Sequence, residues 1–476
     1  YANKDKLKKE QGKERKTSIL LGADRGNVPP PLPTAPHPEV SVAEKPVSTF
    51  SLKVSDVSFR LAEASIKQGQ WPAKAIIRSE EFVNSFDYDD PLPAAGESLA
   101  FRMERASHPF TNNREVLRFS LSAAPAEDEK TRPLNLVIAL DNSDSMKRGN
   151  RLNLAKKTLH GLAKHLTGSD RVSLVTFARQ AKLQLSSLPG DEFSKSIDEI
   201  SPSGSEEETN LEEALDLSYA TARKRYFQKG NNRVLLLSDG GANLDARDPR
   251  TLKAKVDEQR SRGIALDCIG LGSEGFVDHM LEAISRNGRY VFLNNLGEAD
   301  DAFGGKLAGI LRPAVTDLKV QIEFNPERVG LYRQIGFEKH RLEKQYFDEN
   351  SIAGGEIANG ETGNALYVVR VNPKGKGDLG VLRVRYREPK TDKLKQGEWR
   401  LAYEREAPAF ANASPSMRLA VYAATFAEWL TDHPQSTGFV IEQAVGDLQT
   451  IRSDFPDKAS IDRLSEMVIR SRAISR

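Results

Sequence analysis

Three short segments, far apart in the chain, carry oxygen-bearing side chains of the kind that hold a hard cation. The first reads Asp141-Asn142-Ser143-Asp144-Ser145-Met146, the second offers Thr209, and the third reads Ser238-Asp239-Gly240. Carboxylates and hydroxyls, with no histidine or cysteine among them, suit Mg²⁺, Ca²⁺ or Mn²⁺. Thr209 has a second reading. It stands directly before Asn210-Leu211-Glu212-Glu213, and Thr209 with Glu212 spells a capping box.

Catalysis would need a nucleophile or base with an oriented partner. The chain has no Gly-x-Ser-x-Gly, no His-Glu-x-x-His and no phosphate-binding loop. His37, His108, His160, His165, His279, His340 and His433 are scattered. His160 and His165 fall on one expected helix but, five residues apart, share no face. A non-enzymatic binding role is expected, with a metal-assisted hydrolase as the remote alternative.

The elements around these segments place them together. Residues 134–140 are an almost unbroken apolar run, as in a strand buried on both faces. Leu152, Ala155, Leu159, Leu162 and Leu166 follow at helical spacing. Further strands are expected at 172–178, 183–188, 234–237, 264–271 and 290–293, and helices from Asn210 past Tyr219, at 252–262 and at 276–285. This alternation predicts an α/β unit with a doubly wound, mostly parallel sheet. Ligands of such sheets bind beyond the carboxyl ends of the strands, where Asp141 and Asp239 stand.

The flanks read differently. Seven prolines between residues 29 and 46 mark a linker. A strand is expected at 47–55, then a helix with Val57, Leu61 and Ile66 on one face, a second helix from Ser79, and strands at 98–105 and 115–123. After residue 311, Leu318, Val320, Ile322 and Phe324 alternate with polar residues. Leu382, Val384 and Tyr386 do so against Arg383, Arg385 and Arg387. This is a half-buried antiparallel sheet, most simply a sandwich, with the arginines on its wet face. Gly336 and Gly354-Gly355 read as turns that need positive φ. From Ser416 the pattern is helical, with Leu419, Ala423, Phe426 and Leu430 on one face and Ile461, Leu464 and Val468 on another.

At 476 residues the chain needs several cores. Lys and Arg number 69 against 67 Asp and Glu, so bulk charge does not point to nucleic acid, and no aromatic platform accompanies the arginines. Residues 1–16 form a local basic arm, read either as a solvated tail or as an arm near an anionic membrane. Cys268 is the only cysteine, which excludes an intrachain disulfide and suits a small buried hydrophobe. No apolar run is long enough for a transmembrane helix. The chain opens at Tyr1, which suggests a removed leader or a start within a longer precursor.

Asp-x-Ser-x-Ser after a buried strand, a threonine two loops later, and Ser-Asp-Gly after the next buried strand resemble the metal-ion-dependent adhesion site of von Willebrand factor type A domains. The resemblance implies that Ser143, Ser145 and Thr209 approach the metal by their hydroxyls. Asp141 and Asp239 would hold it directly or through water. It also implies Mg²⁺ first, with Ca²⁺ and Mn²⁺ as alternatives, and a position left for a carboxylate from a protein partner. The flanks resemble a bacterial branch of the family: Val47-Ser48-Thr49-Phe50-Ser51, Gly69-Gln70-Trp71-Pro72 and Glu80-Glu81-Phe82-Val83-Asn84 on one side, Tyr332 to Glu338 and Gly354-Gly355-Glu356-Ile357 on the other. Leu419 to Leu430 resembles that branch's alanine-rich C-terminal domain.

Five segments follow: a basic arm and linker (1–46), an associated N-terminal region (47–130), the type A domain (131–311), a β-sandwich region (312–404) and a C-terminal helical domain (405–476). The type A domain is expected to be inserted into a sandwich built from both flanks. The branch implies an exported envelope protein, periplasmic or at the outer surface, anchored through a segment before Tyr1. Its partners would be other envelope proteins or copies of this chain. The rival expectation is a metal-independent structural subunit.

Three departures from the pattern matter. Asp144 replaces the usual glycine between the motif serines, Glu206-Glu207-Glu208 precedes Thr209, and Lys53 and Ser55 stand where aspartates are expected. Ser205 then competes with Thr209 as the third hydroxyl. Asp144 and the glutamates are expected to form an acidic rim, unless Asp144 itself closes the metal site.

Overall fold

Every residue of the strand Leu134–Asp141 is buried, and its side chains divide between two cores. Leu134, Leu136, Ile138 and Leu140 pack into one, Val137 and Ala139 into the other. Parallel neighbours flank it on both sides, Arg171–Phe177 and Asn231–Ser238. Ala265–Leu271 and Tyr290–Leu293 extend the sheet in parallel, and Ala181–Pro189 closes the opposite edge as an antiparallel hairpin partner. The first core is covered by helices Arg151–Ala163 and Asp301–Ile310, the second by Leu211–Lys224, Pro249–Ser261 and Asp278–Ile284. This is the expected doubly wound sheet. The computed structural model describes residues 38–125, 132–203, 209–241, 249–285, 288–404 and 406–474. The basic arm, most of the proline-rich stretch, Ser205 and residues 206–208 lie outside these.

Two antiparallel sheets made from both flanks of the α/β unit face each other. One runs in the order Val40–Ser41, Val329–Ile335, Thr362–Val371, Glu115–Ala123, Leu99–Ser107. The other runs Arg341–Leu342, Val47–Ser51, Val315–Phe324, Gly380–Glu388, Lys393–Leu401. Phe50, Phe119, Leu121, Val320, Ile322, Tyr367 and Val384 fill the space between them. The α/β unit is thus inserted between Ala123 and Val315, as expected. Helices Pro415–Leu430, Ile441–Ile451 and Lys458–Ser471 cover the outer face of the first sheet through Val116, Ile335, Leu366 and Val368.

Four expectations are corrected. Helix Val57–Lys67 does not present one face: Val57 and Leu61 enter the α/β core, while Phe59, Ala62 and Ile66 enter the C-terminal helical core. The arginine stripe is not uniformly wet. Arg385 is buried and donates to Asn350, because the segment after the strand Arg341–Leu342 folds back over that face and also buries Lys319. Gly336 does have positive φ (72°), but Gly354 and Gly355 do not. Gly355 is required by close approach instead, since a Cβ there would lie 1.6 Å from the Leu52 carbonyl oxygen. Finally, the cap of helix Leu211–Lys224 is Asn210, whose side chain accepts from the Glu213 amide at 3.1 Å, so Thr209 is not its cap.

Charge fixes the base of the inserted unit to the sandwich. Glu356, 2% exposed, accepts from Arg233 at 2.6 Å and pairs with Arg260 through its other oxygen. Arg233 also grips Asp267 with two 2.8 Å bonds, and Arg289 donates to the Glu356 carbonyl oxygen at 3.1 Å. Burial opposes ionisation of Glu356, yet Arg233 and Arg260 hold its carboxyl down at about 2. Its stabilisation is therefore present above the ordinary carboxylate range and is lost as pH falls through that range towards 2. Glu356→Gln should cost about 3–5 kcal/mol at pH 7, as for breaking any buried pair from one side. Urea unfolding should show the gap shrinking towards pH 2.

Glu80 behaves oppositely. Its Oε2 is buried without a hydrogen-bond partner. Burial, then Glu338, then Glu81 push its pKa up to about 8. A raised carboxyl supports the fold fully below its unfolded pKa and ceases to as pH rises through 8. Glu80→Gln should therefore melt higher than the parent at pH 9 and lose that advantage by pH 6 in thermal scans.

Candidate functional site

Asp141 ends the central strand and is fully buried, so its carboxylate relies on protein donors. Oδ1 accepts from the Ser143 amide at 3.0 Å and from Ser143 Oγ at 2.6 Å. Oδ2 accepts from Ser238 Oγ at 2.8 Å, and the same Ser238 oxygen accepts from the Gly240 amide at 3.1 Å. Ser143 Oγ lies 3.1 Å from Ser145 Oγ. One carboxylate and two hydroxyls thus converge at the strand's carboxyl end. Asp239 follows the neighbouring strand and is equally buried. Its Oδ1 accepts from the Gly241 amide at 2.8 Å and its Oδ2 from Arg151 at 2.5 Å. Gly240 has φ of 72°, and a Cβ there would lie 2.3 Å from the Val277 carbonyl oxygen. Only glycine lets this turn deliver Asp239.

Four of the five expected residues therefore meet around one point. Asp141, Ser143 and Ser145 are directly linked, and Asp239 is near enough that its charge raises the pKa of Asp141. Burial first, then Asp239, push Asp141 up to about 6. Thr209 is buried on the adjoining loop. The Asn210 amide ties that loop to the Ala178 carbonyl at 2.7 Å, but Thr209 makes no hydrogen bond to the other four. The Asn142 side chain donates to the Ser201 carbonyl at 3.1 Å, joining the first loop to the start of the segment before Thr209. Asp144 is partly exposed and paired with Lys147; the glutamates expected beside it in the rim lie outside the described residues.

The donor set fits a hard cation. Among the described residues, no group of three or more His, Cys, Asp or Glu gathers for a metal. Binding here would rest on hydroxyls plus two carboxylates, and a cation would offset the burial and the Asp239 charge that raise Asp141. Two contributors escaped the sequence reading. Ser238 orients Asp141, a role that its place in Ser-Asp-Gly hinted at. Arg151, at the start of a helix six residues after Ser145, had no such signal.

Residues 136–242, which contain all five positions, match the family model of the von Willebrand factor type A domain. These residues form a von Willebrand factor type A domain. Residues 34–118 match a second model, described as von Willebrand factor. Residues 309–376 match the model for the C-terminal part of uncharacterized protein YfbK, upstream of the helix where the C-terminal resemblance was placed. YfbK of Escherichia coli (strain K12) is 32% identical over 76% of this chain and 65% of its own length. Uncharacterized protein sll0103 of Synechocystis is 27% identical over 44% of this chain and 50% of its own. The chain therefore spans less than two thirds of the curated relatives it matches. Among solved structures, a von Willebrand factor type A protein from Catenulispora acidiphila aligns with a TM-score of 0.48 and 14% identity. It covers 78% of this chain and 96% of the other.

The type A fold is a protein-interaction module, and in this one burial sets an electrostatic cost on ionising Asp141. The carboxyl, raised to about 6, supports the fold below its unfolded pKa and does so less as pH rises through 6. In excess chelator, Asp141→Asn should melt above the parent at pH 8 and show no advantage at pH 4. Thermal scans at the two pH values check this.

Proposed function

We propose that this type A domain is a non-enzymatic, divalent-cation-dependent protein-binding module that serves adhesion or assembly in the bacterial cell envelope. The observation that carries the reading is the convergence of the Asp141 carboxylate with Ser143 Oγ and Ser145 Oγ at the open end of a buried parallel sheet. Asp239 lies beside it and Thr209 on the adjoining loop. These five would hold Mg²⁺ foremost, with Ca²⁺ or Mn²⁺ as alternatives, and a bound cation would supply a positive centre for a carboxylate from the partner. The chemistry that recognises this site is an acidic side chain, on another envelope protein or a second copy of the chain.

An envelope location rests on the resemblance of the flanks to an exported branch of the family and on the local basic arm at residues 1–16. Among the described residues, no helix is long and apolar enough to cross a membrane. A second reading has one observation in its favour. The Arg151–Asp239 pair satisfies Asp239 from within, as a metal-independent structural subunit would require.

Melting curves separate the two. Mg²⁺ at 100 times its dissociation constant should stabilise the protein by about 2.7 kcal/mol. Ser143→Ala with Ser145→Ala should abolish that shift, and should lower the melting point in chelator by the loss of the Ser143 hydroxyl's bond to Asp141. A parent protein whose melting point ignores Mg²⁺, Ca²⁺ and Mn²⁺ alike would overturn the metal reading in favour of the structural one.

A further inference from the structure

Among the described residues, Arg151 is the cation built into the candidate metal site, and it is buried there with its carboxylate partner. Both side chains of the Arg151–Asp239 pair are 3% exposed. Nη1 donates to Asp239 Oδ2 at 2.5 Å and to the Ser145 carbonyl oxygen at 3.0 Å, while Nη2 donates to the Glu274 carbonyl oxygen. The guanidinium thus joins all the segments that shape one side of the site: the serine loop, the loop bearing Asp239, and the loop after strand Ala265–Leu271. The slot is made for it. Gly272 has φ of 73°, and a Cβ there would lie 2.8 Å from Arg151 Nε. That Nε is buried with no hydrogen-bond partner, so the side chain is held by its two terminal nitrogens alone.

The charges explain why this matters. Asp141 and Asp239 carry two negative charges in a buried pocket, and one guanidinium balances half of that. A divalent cation entering beside Asp141, Ser143 and Ser145 meets an Asp239 whose two oxygens each already accept a hydrogen bond, one from Arg151 and one from the Gly241 amide. It also meets a fixed positive charge in a medium that screens poorly. Binding must either displace the guanidinium from Asp239 or tolerate it close by, and both lower affinity.

We infer that Arg151 is an internal competitor of the metal: a tethered cation that satisfies Asp239 in the metal-free protein and sets the cation affinity of the site. The inference rests on the proposed metal reading. It assigns Arg151 a positioning and affinity-setting role, with no contact to the metal. It further implies that metal loading moves Arg151 and with it the Ser145 and Glu274 loops, so the face offered to a partner differs between the metal-free and loaded forms.

The test is Mg²⁺ binding measured by titration calorimetry on the full chain, for the parent, Arg151→Gln, Arg151→Lys and Asp141→Ala. Arg151→Gln should bind Mg²⁺ about ten-fold more tightly or better, through loss of the repelling charge and release of Asp239. Arg151→Lys keeps the charge but cannot reach Asp239, Ser145 and Glu274 at once, so it should fall between the two. If Arg151→Gln fails to fold by circular dichroism, Arg151→Lys carries the test, with a tightening of about three-fold expected. Equal or weaker binding by the folded arginine variants, while Asp141→Ala abolishes binding, overturns the inference and leaves the metal reading standing. Binding in none of the parent and arginine variants that Asp141→Ala removes would instead overturn the metal reading, and this inference with it.

Discussion

Glu356 joins two bodies that the chain has no short covalent way to hold in register. The α/β unit enters the sandwich as an insertion, leaving at Ala123 and returning at Val315, so two connections near one end are all the backbone supplies. Arg233 and Arg260 from that unit meet the carboxylate of Glu356 on the sandwich side, and Arg289 takes its carbonyl. Arg289 also pairs with Glu361. A buried ionic contact of this kind adds little net stability over an apolar one, but each member is costly to leave unpartnered. That asymmetry penalises any other seating of the inserted unit. Arg312, just past its last helix, does the same at Asp170 with a 2.7 Å bond.

The opposite end of the parallel sheet shows the same chemistry with a different outcome. There the strand ends carry carboxylates and the loops carry hydroxyls, and among the described residues one arginine, Arg151, answers two buried aspartates. At the base, Glu356 meets two guanidinium groups, Arg233 and Arg260, and is held low; at the open end, Asp141 is raised to about 6. Burial acts on both, and the count of nearby cations decides the direction. One end is electrostatically finished and the other is left able to accept charge, which is the physical basis for reading it as a binding end.

Helix Val57–Lys67 explains how the flanking segments are bound to this arrangement. Val57 and Leu61 pack into the α/β core while Phe59 and Ile66 pack among the C-terminal helices. Arg78 extends the link, pairing with Glu81 at 2.8 Å and with Asp278 of the inserted unit at 2.7 Å, all three buried. Lys53, where an aspartate was expected, is buried and donates to the Ser285 carbonyl at 3.1 Å. The N-terminal segment therefore touches every other part of the fold, although it forms no core of its own.

Much of this was legible in the residues. The almost unbroken apolar run at 134–140 and the unbroken one at 234–237 read as strands covered on both faces, and the alternation at 318–324 read as a strand with one apolar face, although Lys319 and Gln321 on its other face are also buried. These patterns are local, since they reflect side-chain periodicity against a single surface. The positions of Asp141, Ser143, Ser145 and Asp239 followed, because oxygen-bearing side chains at strand ends can be read without knowledge of distant contacts. What the local pattern could not carry was anything set by partners remote in sequence. Arg151 meets Asp239 across 88 positions, Glu356 meets Arg233 across 123, and Gly355 is required by Leu52 and not by its own φ. The cap at Asn210, the buried Arg385 and the two-faced helix at Val57 are of the same kind. Periodicity records which face of an element is apolar; which charge or backbone lies opposite it is decided only when the chain closes.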